Sequence, residues 1–205
     1  MRDLAIRGAG DILGSEQAGF VDTVGIELYM KMIENELKSL RGEDVQEDET
    51  SINSLIDVET HISDDYVSDE DLKIEIHKKI NEIDDYDKLI EVKTELEDRF
   101  GKVSKEMEIY MYEEWFEKLA QKLEIKNVTQ TSYNVSLELN ENITSKIKGD
   151  KLFLKSYQIC SRFQFKAIRN RLIISLNILN LEKHFLMYYI PLLEEILEQV
   201  KESTE

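Results

Sequence analysis

Apolar residues along this chain change their period several times, and each change marks a new element. From Gly25 onward, Ile26, Tyr29, Met30, Ile33, Leu37 and Leu40 recur at steps of three and four. That spacing predicts one face of a helix, which Gly42 is placed to end. Ile56, Val58, Thr60 and Ile62 alternate with Asp57, Glu59 and His61, the pattern of a half-buried strand. Ser68 is the expected N-cap of the next helix, with Asp71 three residues on, and its face is Leu72, Ile76, Ile80 and Ile83. A second helix carries Leu89, Val92, Leu96 and Phe100 and stops at Gly101. Ser104 can cap a third, whose face is Ile109, Tyr112, Phe116, Leu119 and Leu123. After Ile125 the period falls to two. Val128 to Tyr133 and Val135 to Leu139 are expected to pair across a turn near Ser132–Asn134. Residues 143–158 read as a helix despite Gly149. Phe163, Phe165 and Ala167 then alternate, and Leu172 to Leu176 follow a turn at Arg169–Asn170. A last helix shows Phe185, Tyr189, Leu192, Leu193, Ile196 and Val200. Pro191 is expected to kink it or to begin a new helix.

Two stretches break this succession. Residues 1–20 are punctuated by Gly8, Gly10, Gly14 and Gly19, the signature of a structured loop. Residues 43–53 are strongly acidic with little to bury, as expected of a solvated linker. The chain therefore divides into a loop-plus-helix segment at 1–42, a linker at 43–53 and a domain at 54–205. The expected fold class is α+β: a small mixed or antiparallel sheet packed with several amphipathic helices. No internal repeat is evident.

Composition sharpens this picture. The 205 residues are 41% hydrophobic and 34% charged, with one Pro and eight Gly, which favours helices and allows a packed core. The formal net charge of −17 argues against a nucleic acid or an anionic membrane as the main partner of the whole surface. The single cysteine, Cys160, cannot form a disulfide within the chain, and a reducing, cytoplasmic compartment is the default expectation. No apolar run approaches the roughly 20 residues that span a bilayer.

Catalytic signatures are missing. There is no Gly-x-x-x-x-Gly-Lys-[Ser/Thr] cradle for phosphates. Gly8-Ala9-Gly10 has the wrong continuation for a dinucleotide fingerprint. His61, His77 and His184 lie far apart, so no metal site is expected. Cys160 with a distant His is a conceivable nucleophile pair, but a small buried thiol is the simpler reading. Asp64-Asp65 and Asp84-Asp85 read as turn and cap residues.

The stretch Arg2 to Phe20 resembles the end of the translocation motif shared by bacterial transcription-repair coupling factors and the RecG helicase. Val24 to Tyr29 and the helix after it resemble the coupling factors in particular. A second likeness, to the carboxy-terminal domain of that family, lies in Asp65-Tyr66-Val67-Ser68-Asp69, Lys78-Lys79-Ile80 and Glu95 to Gly101. Three positions depart from the family pattern. Ser63 and Ser104 stand where Pro is usual, and His77 where Tyr is common. Met1 abuts what reads as the middle of the first motif, so a longer natural chain is expected.

The resemblance implies a piece of an ATP-dependent double-stranded DNA translocase that removes stalled RNA polymerase and recruits excision repair. It implies coupling roles for Arg7 and Gln17, with Gly8, Gly10, Gly14 and Gly19 shaping the loop between the helicase lobes. It implies that ATP and magnesium serve the full-length protein and that this portion needs no cofactor. Residues 54–205 would be a non-catalytic, autoinhibitory docking domain whose intramolecular partner is an amino-terminal UvrB-like module. RNA polymerase, UvrA and duplex DNA would be partners of the whole protein. The alternative is a DNA-contacting accessory domain of a related superfamily 2 helicase; an independent small enzyme lacks any catalytic constellation.

One feature stands outside the resemblance. Residues 142–177 carry Lys146, Lys148, Lys151, Lys155, Arg162, Lys166, Arg169 and Arg171 against a single acid, Asp150, with Phe153, Tyr157 and Phe163 interleaved. This tract is a candidate basic docking face for an acidic protein surface or for DNA. The other reading is a set of cations neutralised by acidic helices of the same domain.

Overall fold

A computed structural model describes residues 62–203. The loop at 1–20, the helix after Gly25, the linker and all but the last residue of the strand expected at Ile56–Ile62 lie outside the described residues. The described chain falls into two compact units that divide between Glu108 and Ile109. Each is taken by itself.

In the first unit, helix α1 spans Glu70–Asn81. Its cap is Asp69, whose side chain accepts the Leu72 N–H at 3.0 Å, and not Ser68 as the sequence pattern implied. A carboxylate one residue closer meets the orphan donors of the first turn and also opposes the positive helix end. Helix α2 spans Tyr86–Phe100, capped by Asp85 through the Lys88 N–H at 2.7 Å. It ends at Gly101, whose φ of 91° suits a residue without a Cβ. Ile76, Ile80 and Ile83 are buried as expected, as are Leu89, Val92 and Leu96, while Leu72 and Phe100 are half-buried. The Tyr66 hydroxyl donates to the carbonyls of Leu96 (3.2 Å) and Gly101 (3.0 Å), tying the chain before α1 to the end of α2.

The family departures are accommodated locally. The Ser63 carbonyl closes a turn by accepting the N–H groups of Tyr66 and Val67. His77 is buried on α1. Ser104 caps helix α3 (Lys105–Lys122) through the Met107 N–H at 3.2 Å. This third helix is enclosed more fully than one apolar stripe predicts. Phe116, Leu119 and Leu123 are buried, but so are Met107, Tyr110, Met111, Glu113, Glu114, Trp115 and Ala120, whereas Ile109 and Tyr112 are only half-buried. From Ile109 onward this helix belongs to the second unit.

The second unit is built on an antiparallel sheet of order β1-β2-β4-β3. Its strands are β1 Val128–Gln130, β2 Asn134–Leu139, β3 Phe163–Ile168 and β4 Arg171–Asn177. Both expected hairpins form. Arg169 and Asn170 have φ values of 47° and 63°, the left-handed pair that a two-residue turn demands. Val135, Leu137 and Leu139 alternate inward on β2, and Ile174 and Leu176 do so on β4. Helix α6 (Leu186–Glu202) covers this face with Tyr189, whose hydroxyl donates to the carbonyls of Val135 (2.8 Å) and Ile174 (3.0 Å). The Tyr189 ring meets Phe163 edge-on at 5.3 Å. Pro191 lies inside α6 and neither restarts nor ends it. The helical bond to the Met187 carbonyl is lost, yet Tyr189, Ile190, Leu192, Leu193 and Ile196 are all buried and hold the helix together.

The single helix expected at 143–158 is in fact two. A short α4 (Glu141–Thr144) is separated from α5 (Gly149–Ile159) by a turn. The break is held from outside: Gln199 Oε1 accepts the Lys148 N–H at 2.8 Å, and Ser203 Oγ donates to the Lys146 carbonyl at 3.2 Å. The architecture is α+β, as the alternation of periods implied.

Candidate docking surface

The eight cations of residues 142–177 do not form one face. Lys148 and Lys151 on the start of α5 converge on Glu202 of α6, at 3.3 and 3.5 Å. Lys155, one turn further along α5, reaches Glu195 at 3.8 Å. Arg171 on β4 pairs with Glu138 on the adjacent β2 at 2.7 Å. Half of the tract is thus paired with acids of its own unit, as the second of the two sequence readings has it, and half is not. The physical reason is that α5 lies along α6, whose Glu195 and Glu202 are two turns apart on one side. Hydrogen bonding from Lys148, then the positive field of Lys151, holds the Glu202 carboxyl below its ordinary range.

The other four cations are placed differently. Lys146 is half-buried in the turn between α4 and α5. The Arg162 guanidinium donates to the Leu179 carbonyl. Lys166 is exposed on β3, and Arg169 is exposed in the β3–β4 turn. Among the described residues, none of these four has a carboxylate within 4.0 Å. The interleaved aromatics also separate: Phe163 is buried in the core, while Phe153 and Tyr157 are 63% and 67% exposed beside an equally exposed Leu154.

A shallow groove of about 350 Å³ runs between α5 and α6, lined by Lys151, Leu154, Lys155, Gln158, Glu195, Glu198 and Glu202. Lys151 and Lys155 are paired there with Glu202 and Glu195, and the groove brings together no nucleophile and base. Cys160 is half-buried at the end of α5, not fully buried as the sequence reading had it, because it caps the helix at its rim. His184 lies against the Phe185 ring at 4.3 Å. Among the described residues no group of three or more His, Cys, Asp or Glu could hold a metal ion. None of the helices there is long and apolar enough to cross a membrane. Arg7, Gln17, Gly8, Gly10, Gly14 and Gly19 lie outside the described residues.

The first unit presents the opposite sign. Residues 62–108 hold sixteen acids against eight Lys and Arg. Its ion pairs are organised around α2: Arg99 bonds Glu75 at 2.8 Å and Glu95 at 3.2 Å, and Lys79 bonds Glu95 at 2.9 Å. Glu75 is held below the usual carboxylate range chiefly by Arg99, and Glu95 chiefly by Lys79. Lys73 is buried between Asp64 (2.5 Å) and Glu70 (3.2 Å). Burial alone would lower its pKa, but the bonds to Asp64 and Glu70 prevail and raise it. Sequence spacing gave no signal for this buried lysine, which sits among apolar positions of α1.

Likenesses to known proteins cover both units. A family profile described as TRCF domain matches residues 56–149. The transcription-repair-coupling factor of Bacillus subtilis (strain 168) is 30% identical over 153 residues, 75% of this chain and 13% of the relative. That of Staphylococcus haemolyticus (strain JCSC1435) is 28% identical over 186 residues, 86% of this chain and 15% of the relative. That of Staphylococcus aureus (strain USA300) is 40% identical over 104 residues, 49% of this chain and 9% of the relative. The chain therefore spans less than a sixth of the length of these relatives. A solved structure, described as the crystal structure of the C-terminal domain of transcription-repair coupling factor, shares the fold with a TM-score of 0.59 at 21% identity. It covers 73% of this chain and 92% of its own. The chain belongs to the transcription-repair-coupling factor family, as a portion that carries its C-terminal TRCF domain.

Proposed function

We propose that residues 62–203 are a non-catalytic docking domain that restrains the rest of a DNA translocase in transcription-coupled repair. The observation that carries this reading is the distribution of charge. Residues 62–108 keep a strong excess of carboxylates, whereas the basic tract of 142–177 spends half its cations on its own acids. An acidic, helix-faced surface is suited to holding a cationic protein surface. It is ill suited to following DNA, whose affinity rests on free Lys and Arg. The accessory DNA-contacting reading is correspondingly weakened.

On this proposal the partner is the amino-terminal UvrB-like module of the same protein, and docking keeps that module from UvrA until RNA polymerase is engaged. ATP turnover, magnesium and duplex DNA belong to the helicase lobes, with Arg7 and Gln17 coupling lobe closure to stepping. The protein would work in the cytoplasm. Such a restraint requires only about 1–3 kcal/mol of coupling between the docked and open states.

The test compares the full-length protein with one lacking residues 62–203. Deletion is expected to raise DNA-stimulated ATP turnover, by roughly 5–150-fold if the whole coupling is released. It should also expose the UvrA-binding surface. Unchanged turnover and unchanged UvrA binding would sink the restraint. ATP hydrolysis by the isolated 205-residue chain would sink the non-catalytic assignment.

A further inference from the structure

Among the described residues, strand β3 ends the β1-β2-β4-β3 order and is hydrogen-bonded to β4 on one side only. The register shows which of its backbone groups are free. Ile168 and Arg171 close a two-residue turn, so they exchange hydrogen bonds with each other. Antiparallel pairs alternate between bonded and non-bonded. Lys166 and Gln164 therefore also bond across to β4, at Ile173 and Ser175. Ala167, Phe165 and Phe163 face Leu172, Ile174 and Leu176 in non-bonded pairs, and their N–H and C=O groups point away from the sheet. The Leu172 N–H supports this phase, since it bonds the Thr144 hydroxyl at 3.2 Å and not β3.

The open edge is basic. Lys166 lies at its middle, Arg169 in the turn at one end and Arg162 at the other, and none has a carboxylate within 4.0 Å among the described residues. The strand rises about 20 Å over six residues, so these cations lie at short intervals along a row of unpaired donors and acceptors. We propose that the β3 edge binds an extended acidic segment of a partner protein, which adds a strand to the sheet by pairing with Phe163, Phe165 and Ala167.

Three features favour this occupant. An added strand uses backbone groups that have no strand partner among the described residues, the general mode of edge recognition. The cations select acidic side chains on that strand. A second copy of β3 is disfavoured, because it would set Lys, Arg and Arg against their like, which destabilises cross-strand pairs. A nucleic acid could meet the cations but not the main-chain ladder, and a duplex would extend beyond the Debye length of about 8–10 Å onto a chain of net charge −17. A lone lysine on an edge can also serve only to block aggregation, so the test must separate blocking from binding.

Ala167→Pro makes that separation. Its N–H points outward, so proline removes an edge donor without breaking the β3–β4 ladder, a placement edge strands tolerate. The probe is a synthetic peptide of alternating Glu and Val, titrated into the 205-residue chain and followed by amide chemical shifts. Controls are the same peptide with Lys for Glu, and the Glu–Val peptide N-methylated at alternate residues. The acidic peptide is expected to shift the amides of Phe163, Phe165 and Ala167. At least tenfold of its affinity should be lost with Ala167→Pro, with Lys166→Glu/Arg169→Glu, and with N-methylation. Should Ala167→Pro fail to fold, the N-methylated peptide decides alone. The proposal is overturned if N-methylation leaves affinity unchanged, or if the Lys peptide binds as well. It is also overturned if an oligo-dT probe binds the same edge more tightly, or if edge pairing appears only as self-association in sedimentation. These residues are distinct from the acidic helices of the docking proposal, so either can fail without the other.

Discussion

Gln199 of α6 accepts the backbone N–H of Lys148 through its side-chain oxygen at 2.8 Å, across 51 positions of sequence. Its amide nitrogen donates in turn to Glu195 at 2.8 Å, so this buried side chain is engaged at both ends. Lys148 precedes α5 and offers no side-chain cap of its own. Gln199→Leu should therefore strand a donor at the helix start, lowering unfolding free energy by about 1–3 kcal/mol. Urea unfolding would measure this, and a change of only a few tenths would mean that water replaces the bond without penalty.

Tyr189 carries two separable contributions. Its hydroxyl serves two carbonyls of the sheet, and its ring packs edge-on against Phe163 and Phe116. Burial pushes its phenol far above the ordinary value, so it stays neutral throughout the range in which the protein is studied. Tyr189→Phe should cost about 1 kcal/mol, the net value of a hydrogen bond. Tyr189→Ala should cost about 3–5 kcal/mol, as for other large core truncations. Equal losses for the two variants in chemical denaturation would contradict this division.

Arg169 holds a left-handed φ of 47°, where a Cβ is unfavourable. Arg169→Gly is expected to stabilise the β3–β4 hairpin by up to about 1 kcal/mol, since glycine adopts this region freely. A lower melting temperature for the variant would show that the arginine side chain contributes more than its backbone costs.

The carboxyl of Glu95 has a pKa below its ordinary value, owing mainly to Lys79 and then to Arg99. The sign follows from linkage: a depressed carboxyl pKa adds stability above the unfolded value, and that stability is lost as pH falls through the folded one. The stability gap between the wild-type chain and Glu95→Gln should be present at neutral pH and close below the ordinary value of 4.5. Denaturation curves at several pH values test this. A gap of equal size at pH 7 and in strong acid would remove the ion pairs from the account.

Local signals carried much of the fold. Strand alternation in Val135, Leu137 and Leu139, the turn at Arg169–Asn170 and the glycine stop at Gly101 each depend on near neighbours, and each appears where the pattern put it. Readings failed where a distant residue intervened. Gly149 is the one local signal of a break, and the turn before it is held by the distant Gln199 and Ser203. The basic tract leaves two readings open in sequence for the same reason. Lys148, Lys151 and Lys155 look free in sequence, and only the placement of α5 along α6 shows them paired with Glu202 and Glu195. The cap of α1 moved by one residue because Ser68 and Asp69 are both good caps, and spacing alone cannot choose between them.

The turn between α4 and α5 also has a consequence in time. A ribosome adding about 5–20 residues per second needs roughly 3–10 s to make the 51 residues that separate Lys148 from Gln199. During that interval α4 and the β1–β2 hairpin are already synthesised, while the joint that sets the direction of α5 has no partner. The nascent chain thus passes through a stage in which the turn at Lys146–Lys148 lacks the bonds that Ser203 and Gln199 bring, and it gains them only when α6 arrives.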